Sequence, residues 1–317
     1  MFKWKKLGQI FDPTKIKGKS WMKEFAQCTS AVVLKNCVRV YFSCRPKRDE
    51  NKQYVSYTSF LDLDKNNLKT IIRISDNPIL DLGKLGTFDE FGIYPTCVNF
   101  INNKYYLYYA GWTRRVSTTH DVSIGLAMSN DGKRFKRISD GPIITSSIND
   151  PYQVSGPKVR IYNDIFYMFY IAGEKWIKDR SGVAETIYKI KLAISKDGIN
   201  WEKYSKQPIK SVLEENECQA GPDVFYYRGL YHMYFSYRYG LDFRNNKRGY
   251  RIGYAWSKNL IDWNRDDKKV GIYLSRSGWD SSDMHYPHIF KLNQRHYMLY
   301  NGNNFGRNGF GLAVLNN

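Results

Sequence analysis

The feature that most constrains this chain is a repeat with a long and nearly constant period. Segments ending in Pro-x-Val or a near variant stand at Pro95 (YPTCV), Pro157 (GPKVR), Pro222 (GPDVF) and Pro287 (YPHIF). The same step taken back from Pro95 lands on Ser30, inside QCTSAVV, a degenerate first copy. Each anchor is followed by an aromatic strand: VRVYFS (38–43), YYLYYA (105–110), FYMFYI (166–171), YHMYFS (231–236) and HYMLYN (296–301). From the second copy on, a third strand follows: IGLAMS (124–129), IKLAIS (190–195), IGYAWS (252–257) and FGLAVL (310–315). Strands that repeat at a fixed period, with no helical pattern between them, predict an all-β, five-bladed β-propeller with four-stranded antiparallel blades. A β-sandwich would not repeat at this period.

The turns agree with this. SNDGKRF (129–135), SKDGINW (195–201) and SKNLIDW (257–263) follow the third strands, and Gly and Asn tolerate the positive φ of tight turns. The aromatic residue closing each turn opens a fourth strand: FKRISDGPII, WEKYSKQPIK and WNRDDKKVGI. The last copy stops after its third strand, and WKKLGQIF (4–11) resembles WEKYSKQP (201–208). We therefore expect one domain over residues 1–317, with residues 4–11 completing the last blade so that the ring closes without an exposed edge. Lys3, Lys5, Lys6, Lys15, Lys17, Lys19 and Lys23 then belong to an outer edge rather than to a targeting arm.

Aromatic residues make up 16% of the chain, with 26 tyrosines, as wide sheets packed face to face require. No apolar run reaches the length of a membrane span, and no charged-then-apolar leader opens the sequence. The five cysteines (Cys28, Cys37, Cys44, Cys97, Cys218) are odd in number and lack C-x-x-C spacing, which argues against a disulfide framework or a zinc site. A cytoplasmic location is the expectation. The net charge of +19 attracts anions. The lysines are scattered, and no recognition helix or zinc-finger signature is present, so specific nucleic-acid binding is not expected. A carbohydrate partner, anionic or phosphate-bearing, suits the charge; solubility alone also explains it.

In a propeller the loops entering the first strands converge at one mouth. They bring together Gln27, Cys28 and Thr29; Asp89, Glu90 and Tyr94; Asp150, Pro151, Tyr152 and Ser155; Glu214, Glu215, Glu217 and Gln219; and Trp279, Asp280, Asp283, Met284, His285 and Tyr286. Four of the five entries carry carboxylates. Carboxylates and aromatic faces suit a sugar, and two carboxylates across a glycosidic oxygen can supply acid and base or acid and nucleophile. The expected catalytic acids are Glu217, Asp89, Asp150 and Asp283, gathered in one central cavity. The expected substrate-binding residues are Gln27, Arg45, Glu90, Tyr94, Arg238, Asp280, His285 and Tyr286. Arg45 and Arg238 end second strands, where a guanidinium suits a bidentate carboxylate or phosphate, or a salt bridge to a funnel acid. His120, His232 and His296 read as structural. GRNGFG (306–311) precedes a strand, so it is no dinucleotide loop. No metal constellation stands out and no cofactor is implied.

On these residues the chain resembles the five-bladed glycosidase superfamily of arabinanases, xylosidases, invertases and levansucrases. GWDSSDMHYPHIF…YMLYNGNNFGRNGFGLAVL (278–315), with AQC (26–28), RVYFSCR (39–45) and LGTFDEFGIYPTCV (85–98), is similar to glycosidase-like proteins encoded beside bacterial surface-polysaccharide genes. The superfamily uses an acid on the first blade, one on a middle blade and a proton-donating Glu at the fourth-blade entry. The resemblance implies that Glu217 in NECQAGPDVF is the donor and Asp150 or Asp89 the middle acid. AQCTSAVV has no Asp where the superfamily keeps a base or nucleophile. The resemblance therefore implies a glycoside hydrolase or transglycosylase. The alternatives are a glycosyl-transferring or phosphorolytic enzyme on a phosphorylated, nucleotide- or lipid-linked sugar, and a catalytically inactive glycan-binding propeller.

Overall fold

The computed structural model describes residues 2–245 and 247–316. Five four-stranded antiparallel sheets make up a five-bladed β-propeller. Strand β1 (Trp4–Phe11) is the outer strand of blade five, as the missing fourth strand at the other end of the chain requires. Blade one holds β2 (Glu24–Val33), β3 (Cys37–Arg45), β4 (Tyr57–Asp64) and β5 (Ile71–Ile74). Blade two holds β6 (Gly92–Ile101), β7 (Lys104–Arg114), β8 (His120–Ser129) and β9 (Lys136–Arg137). Blade three holds β10 (Val154–Tyr162), β11 (Ile165–Lys178), β12 (Ala184–Ser195) and β13 (Glu202–Tyr204). Blade four holds β14 (Cys218–Tyr227), β15 (Leu230–Arg238), β16 (Arg251–Ser257) and β17 (Trp263–Arg265). Blade five holds β18 (His285–Leu292), β19 (Arg295–Asn301) and β20 (Phe310–Leu315), with Trp4 opposite Leu315 and Phe11 opposite Phe310. Among the described residues no helix is long and apolar enough to cross a membrane.

The repeat writes itself into the local chemistry. In the turns after the third strands, Ser129, Ser195 and Ser257 each accept two backbone N–H groups with Oγ, from Asp131 and Gly132, Asp197 and Gly198, and Asn259 and Leu260. The fourth strands are shorter than the sequence suggested, only two or three residues in blades two to four. Blade one does have a third strand, β4, which the repeat did not reveal because its loop at residues 46–56 breaks the spacing.

The apolar core lies in the seams between blades. Tyr41, Phe60, Leu107 and Tyr109 fill the seam of blades one and two, and Phe169, Ile190, Met233 and Phe235 that of blades three and four. At the axis, polar groups tie the inner strands in a ring. Ser30 accepts the Val98 N–H, and the Cys97 sulfur accepts that of Val159. Arg160 pairs with Asp223 through two N–H groups at 2.8 and 2.7 Å. Asp223 accepts the Ile289 N–H at 2.7 Å, and His288 Nε2 accepts that of Ala31 at 2.8 Å. Each seam is thus closed by a bond between neighbouring first strands, and the loops above are held on a rigid floor.

Candidate active site at the mouth of the propeller

Three of the four expected catalytic acids are each bonded within their own blade to a cation of the fourth strand, with a tyrosine of the second strand alongside. Asp89 accepts the Tyr109 hydroxyl at 2.9 Å and Arg137 Nε at 2.7 Å. Asp150 accepts Tyr170 at 2.9 Å and Lys203 Nζ at 2.9 Å. Asp280, expected to bind substrate, is held alike: it accepts Tyr300 at 3.0 Å and Lys6 Nζ at 2.6 Å. Glu217 accepts Arg265 at 2.6 Å, and Arg265 lies over the Tyr237 ring. Acid and tyrosine keep one fixed offset along the chain in the three hydrogen-bonded cases, and Glu217 and Tyr237 share it. This repeated clamp is why four entry loops carry carboxylates: the acid pins its loop across the blade. Blade one breaks the pattern. Cys44 stands at the same offset from Glu24, whose carboxylate instead bonds Tyr54 and Arg307.

Glu217 is the most heavily bonded of these acids. It is fully buried, Oε2 takes the N–H groups of Val212 and Leu213 at 3.0 Å each, and Oε1 takes Gln219 and Arg265. Four N–H donors occupy the carboxylate. Glu90 accepts the Gly86 N–H within its own loop.

The remaining expectations converge. Arg45 stacks on Phe25 and Tyr54, with ring centroids 4.5 and 5.1 Å away, and reaches Gln27 Oε1 at 3.5 Å. Gln27 in turn donates to the Phe305 carbonyl. Tyr94, Tyr286 and Cys28 all act electrostatically on Arg45. Arg238 lies 3.5 Å above the Phe243 ring, donates to Tyr188 at 2.9 Å and to the Tyr239 carbonyl at 2.8 Å. Tyr188 and Tyr250 share a short hydroxyl contact. His285 is fully buried against Tyr286 (4.5 Å, edge-on) and Tyr250 (5.3 Å), and Phe305 caps the group. Burial pushes its pKa down to about 3, against an upward pull from the Phe305 carbonyl. Tyr286 itself is fixed by a positive φ of 52° and by its N–H on Ser236.

Asp283 is the expected acid that reaches this group. Its Oδ1 accepts the Tyr250 N–H at 2.8 Å, and a Cβ added at Gly249 would lie 2.1 Å from that oxygen, so only glycine leaves room for it. Burial raises its pKa above the ordinary carboxylate value, although the Tyr250 N–H, Arg251 and Arg238 pull it down. Two guanidinium Nε atoms, of Arg45 and Arg238, are buried without a hydrogen-bond partner among the described residues. Buried donors of this kind are costly unless something accepts from them. The arrangement is an aromatic, cation-rich cluster with one acid of raised pKa, drawn from all five blades.

Sequence reasoning missed Tyr188, Tyr250, Arg251 and Phe305, which come from third strands, the residue before one, and the last loop rather than from entry loops. His120, read as structural, lies edge-on to Trp176 at 5.8 Å and within electrostatic reach of Arg45, so it borders the group.

No family model matches the chain. A glycoside hydrolase structure superposes over 98% of this chain and 92% of its own with a TM-score of 0.74 at 15% identity, which shows the shared fold. A 1,2-beta-oligomannan phosphorylase of Thermoanaerobacter sp. (strain X514) is 30% identical over 174 residues, 53% of each chain. The uncharacterized protein Rv1502 of Mycobacterium tuberculosis (strain ATCC 25618 / H37Rv) is 32% identical over 316 residues, 99% of each chain. With that identity over its whole length, this five-bladed propeller belongs to the same family as Rv1502.

Proposed function

We propose that this protein breaks or forms a glycosidic bond by phosphorolysis, with Asp283 as the proton donor and an inorganic phosphate bound by Arg45 and Arg238 as the nucleophile. The observation that carries the reading is the composition of the mouth. Three of the four candidate acids are consumed by blade clamps, while the one left over stands among guanidiniums whose Nε donors lack acceptors among the described residues. A hydrolase of the two-carboxylate type needs a second carboxylate to activate water or attack the sugar. A site with one acid and several cations can instead import its negative nucleophile. Phosphate oxygen would form the new bond to the anomeric carbon as the bond to the leaving oxygen breaks. Asp283 would give its proton to that oxygen, yielding a sugar 1-phosphate and a shortened glycan, and regain a proton from solvent. Burial raises the pKa of Asp283, the direction a donor requires. The partial similarity to an oligomannan phosphorylase supports this reading.

The test is a screen of sugar 1-phosphates with oligosaccharide acceptors, following phosphate release, with Asp283→Asn alongside. Phosphate release that falls about 10²–10⁴-fold in the variant is expected. Reducing-sugar release from oligosaccharides that is indifferent to added phosphate would instead identify a hydrolase using the same acid. Glycan binding without turnover would leave a non-catalytic propeller. We further propose an intracellular bacterial setting and a role in surface-polysaccharide metabolism, since the sequence is similar to glycosidase-like proteins encoded beside such genes.

A further inference from the structure

A cavity of about 310 Å³ opens at the end of the propeller opposite the mouth, in the seam between blades four and five. Cavities of this size hold small ligands. Phe2 and Lys3 precede β1, Tyr227 and Arg228 belong to the hairpin between β14 and β15, and Leu315 ends β20. Strand β14 runs from Cys218, paired with Arg238 at the mouth, to Tyr227 at the cavity, ten residues or roughly 30 Å of strand. The cavity is therefore separate from the cluster around Arg238 and Asp283.

Its walls are aromatic. Phe2 lies edge-on to His232 at 4.9 Å, 5.7 Å from Tyr254 and 6.0 Å from Tyr227. The polar atoms of these rings bond one another. His232 Nε2 donates to the Tyr227 carbonyl at 3.0 Å, and Nδ1 accepts the Tyr254 hydroxyl at 2.7 Å. Burial lowers the His232 pKa, which keeps the ring neutral. The walls thus offer chiefly ring surface. The rim is basic: Lys3, Arg228 and Lys269 line it, and no carboxylate among the described residues does. Lys269 is paired with Asp266 at 2.9 Å, whereas Lys3 and Arg228 form no ion pair among the described residues. A free sugar needs partners for its hydroxyls, and this lining has no carboxylate to hold them. A nucleobase needs ring faces to stack on, and its phosphate needs cations. We propose that this cavity binds a nucleoside phosphate, with the base against Phe2 and Tyr227 and the phosphate on Arg228 and Lys3. The net charge of +19 draws such an anion to the protein. The proposal does not depend on the reaction proposed above, and its readout is binding rather than turnover.

Isothermal titration calorimetry with AMP, GMP, CMP and UMP tests it, beside their nucleosides, inorganic phosphate and glucose 1-phosphate. At least one nucleotide should bind about 10-fold or more tightly than its nucleoside, the difference that one charge-assisted hydrogen bond makes. Arg228 has a positive φ of 49°, which asparagine tolerates, so Arg228→Asn removes the charge without straining the hairpin and should weaken binding by about 10-fold. Phe2→Leu keeps apolar packing but removes a stacking face, and should weaken binding by about 5-fold or more. Arg238→Lys, at the mouth, should leave the nucleotide Kd unchanged. Wild-type crystals soaked in the nucleotide should show it against Phe2, which keeps the proposal testable if Phe2→Leu does not fold. No heat from any nucleotide at millimolar concentration, equal affinity for inorganic phosphate or glucose 1-phosphate, or binding that survives Arg228→Asn and is lost in Arg238→Lys would overturn it.

Discussion

Lys6 Nζ donates to the Asp280 carboxylate across 2.6 Å, joining the outer strand of blade five, near one end of the chain, to the loop near the other end that enters the same blade. The bond repeats, with the chain broken, what Arg137 does for Asp89 and Lys203 for Asp150 within continuous blades. Ring closure therefore rests on the same clamp that holds the other entries, plus the pairing of β1 with β20 and the Trp4 indole on the Tyr234 hydroxyl at 2.9 Å.

Lys6→Met should lower stability by about 1–3 kcal/mol, because Asp280 is 2% exposed and would keep only its tyrosine donor. Deleting residues 2–11 should cost far more, since it also unpairs β20 and opens the two seams packed by Trp4 and by Phe11. Urea unfolding monitored by tryptophan fluorescence checks both. A truncated protein with an unchanged midpoint would be incompatible with this closure.

Glu217→Gln separates the clamp from chemistry. Replacing the carboxylate leaves Arg265 without its 2.6 Å partner, and breaking such a buried pair costs about 3–5 kcal/mol. Any loss of turnover should be equal for substrates with good and poor leaving groups, as expected of a misfolded or loosened site. A loss confined to poor leaving groups, with normal thermal stability, would restore Glu217 to the role of proton donor.

The fold was legible in the sequence because the period repeats glycine turns, aromatic strands and anchors at the same offsets, from Pro95 to Pro287. Even the strand swap could be read, since WKKLGQIF has the face pattern of the other outer strands. The candidate site was legible only in part. Gln27, Arg45, Tyr94, Arg238, Asp283, His285 and Tyr286 do converge, because entry loops and second-strand ends meet at one mouth. The blade clamps of the acids were not legible. A carboxylate at each entry looks the same in sequence whether it faces a sugar or a tyrosine. The telltale tyrosine stands well downstream, within a strand already rich in aromatics. Tyr188 and Tyr250 were hidden for a related reason: in a chain with 26 tyrosines, no single one stands out.

Buried histidines give the fold a defined response to acid. His285 and His288 are 0% and 2% exposed, with pKa values pushed down by burial to about 3 and about 4. In the unfolded chain both titrate near 6.5. Between these limits the unfolded state binds more protons, so stability falls as pH drops below 6.5 and continues to fall to about 4. Each histidine contributes a slope of up to about 1.4 kcal/mol per pH unit in that window. His285→Gln should flatten the profile of unfolding free energy against pH over this range. A variant with the same slope as the wild type would mean that His285 does not remain neutral in the fold.

Arg238→Lys is the most discriminating change at the mouth. Lysine keeps the charge but has no planar group to lie 3.5 Å over Phe243, and its single nitrogen cannot span the three positions that Nη1, Nη2 and Nε of the guanidinium occupy. If the unpartnered Nε is where phosphate docks, KM for phosphate should rise by about 10-fold or more, the equivalent of one charge-assisted hydrogen bond, while kcat at saturating phosphate changes little. The phosphate dependence of sugar 1-phosphate formation measures this directly. A fall in kcat with no change in the phosphate KM would remove Arg238 from the anion site and leave it as a support for the Tyr188–Tyr250 pair.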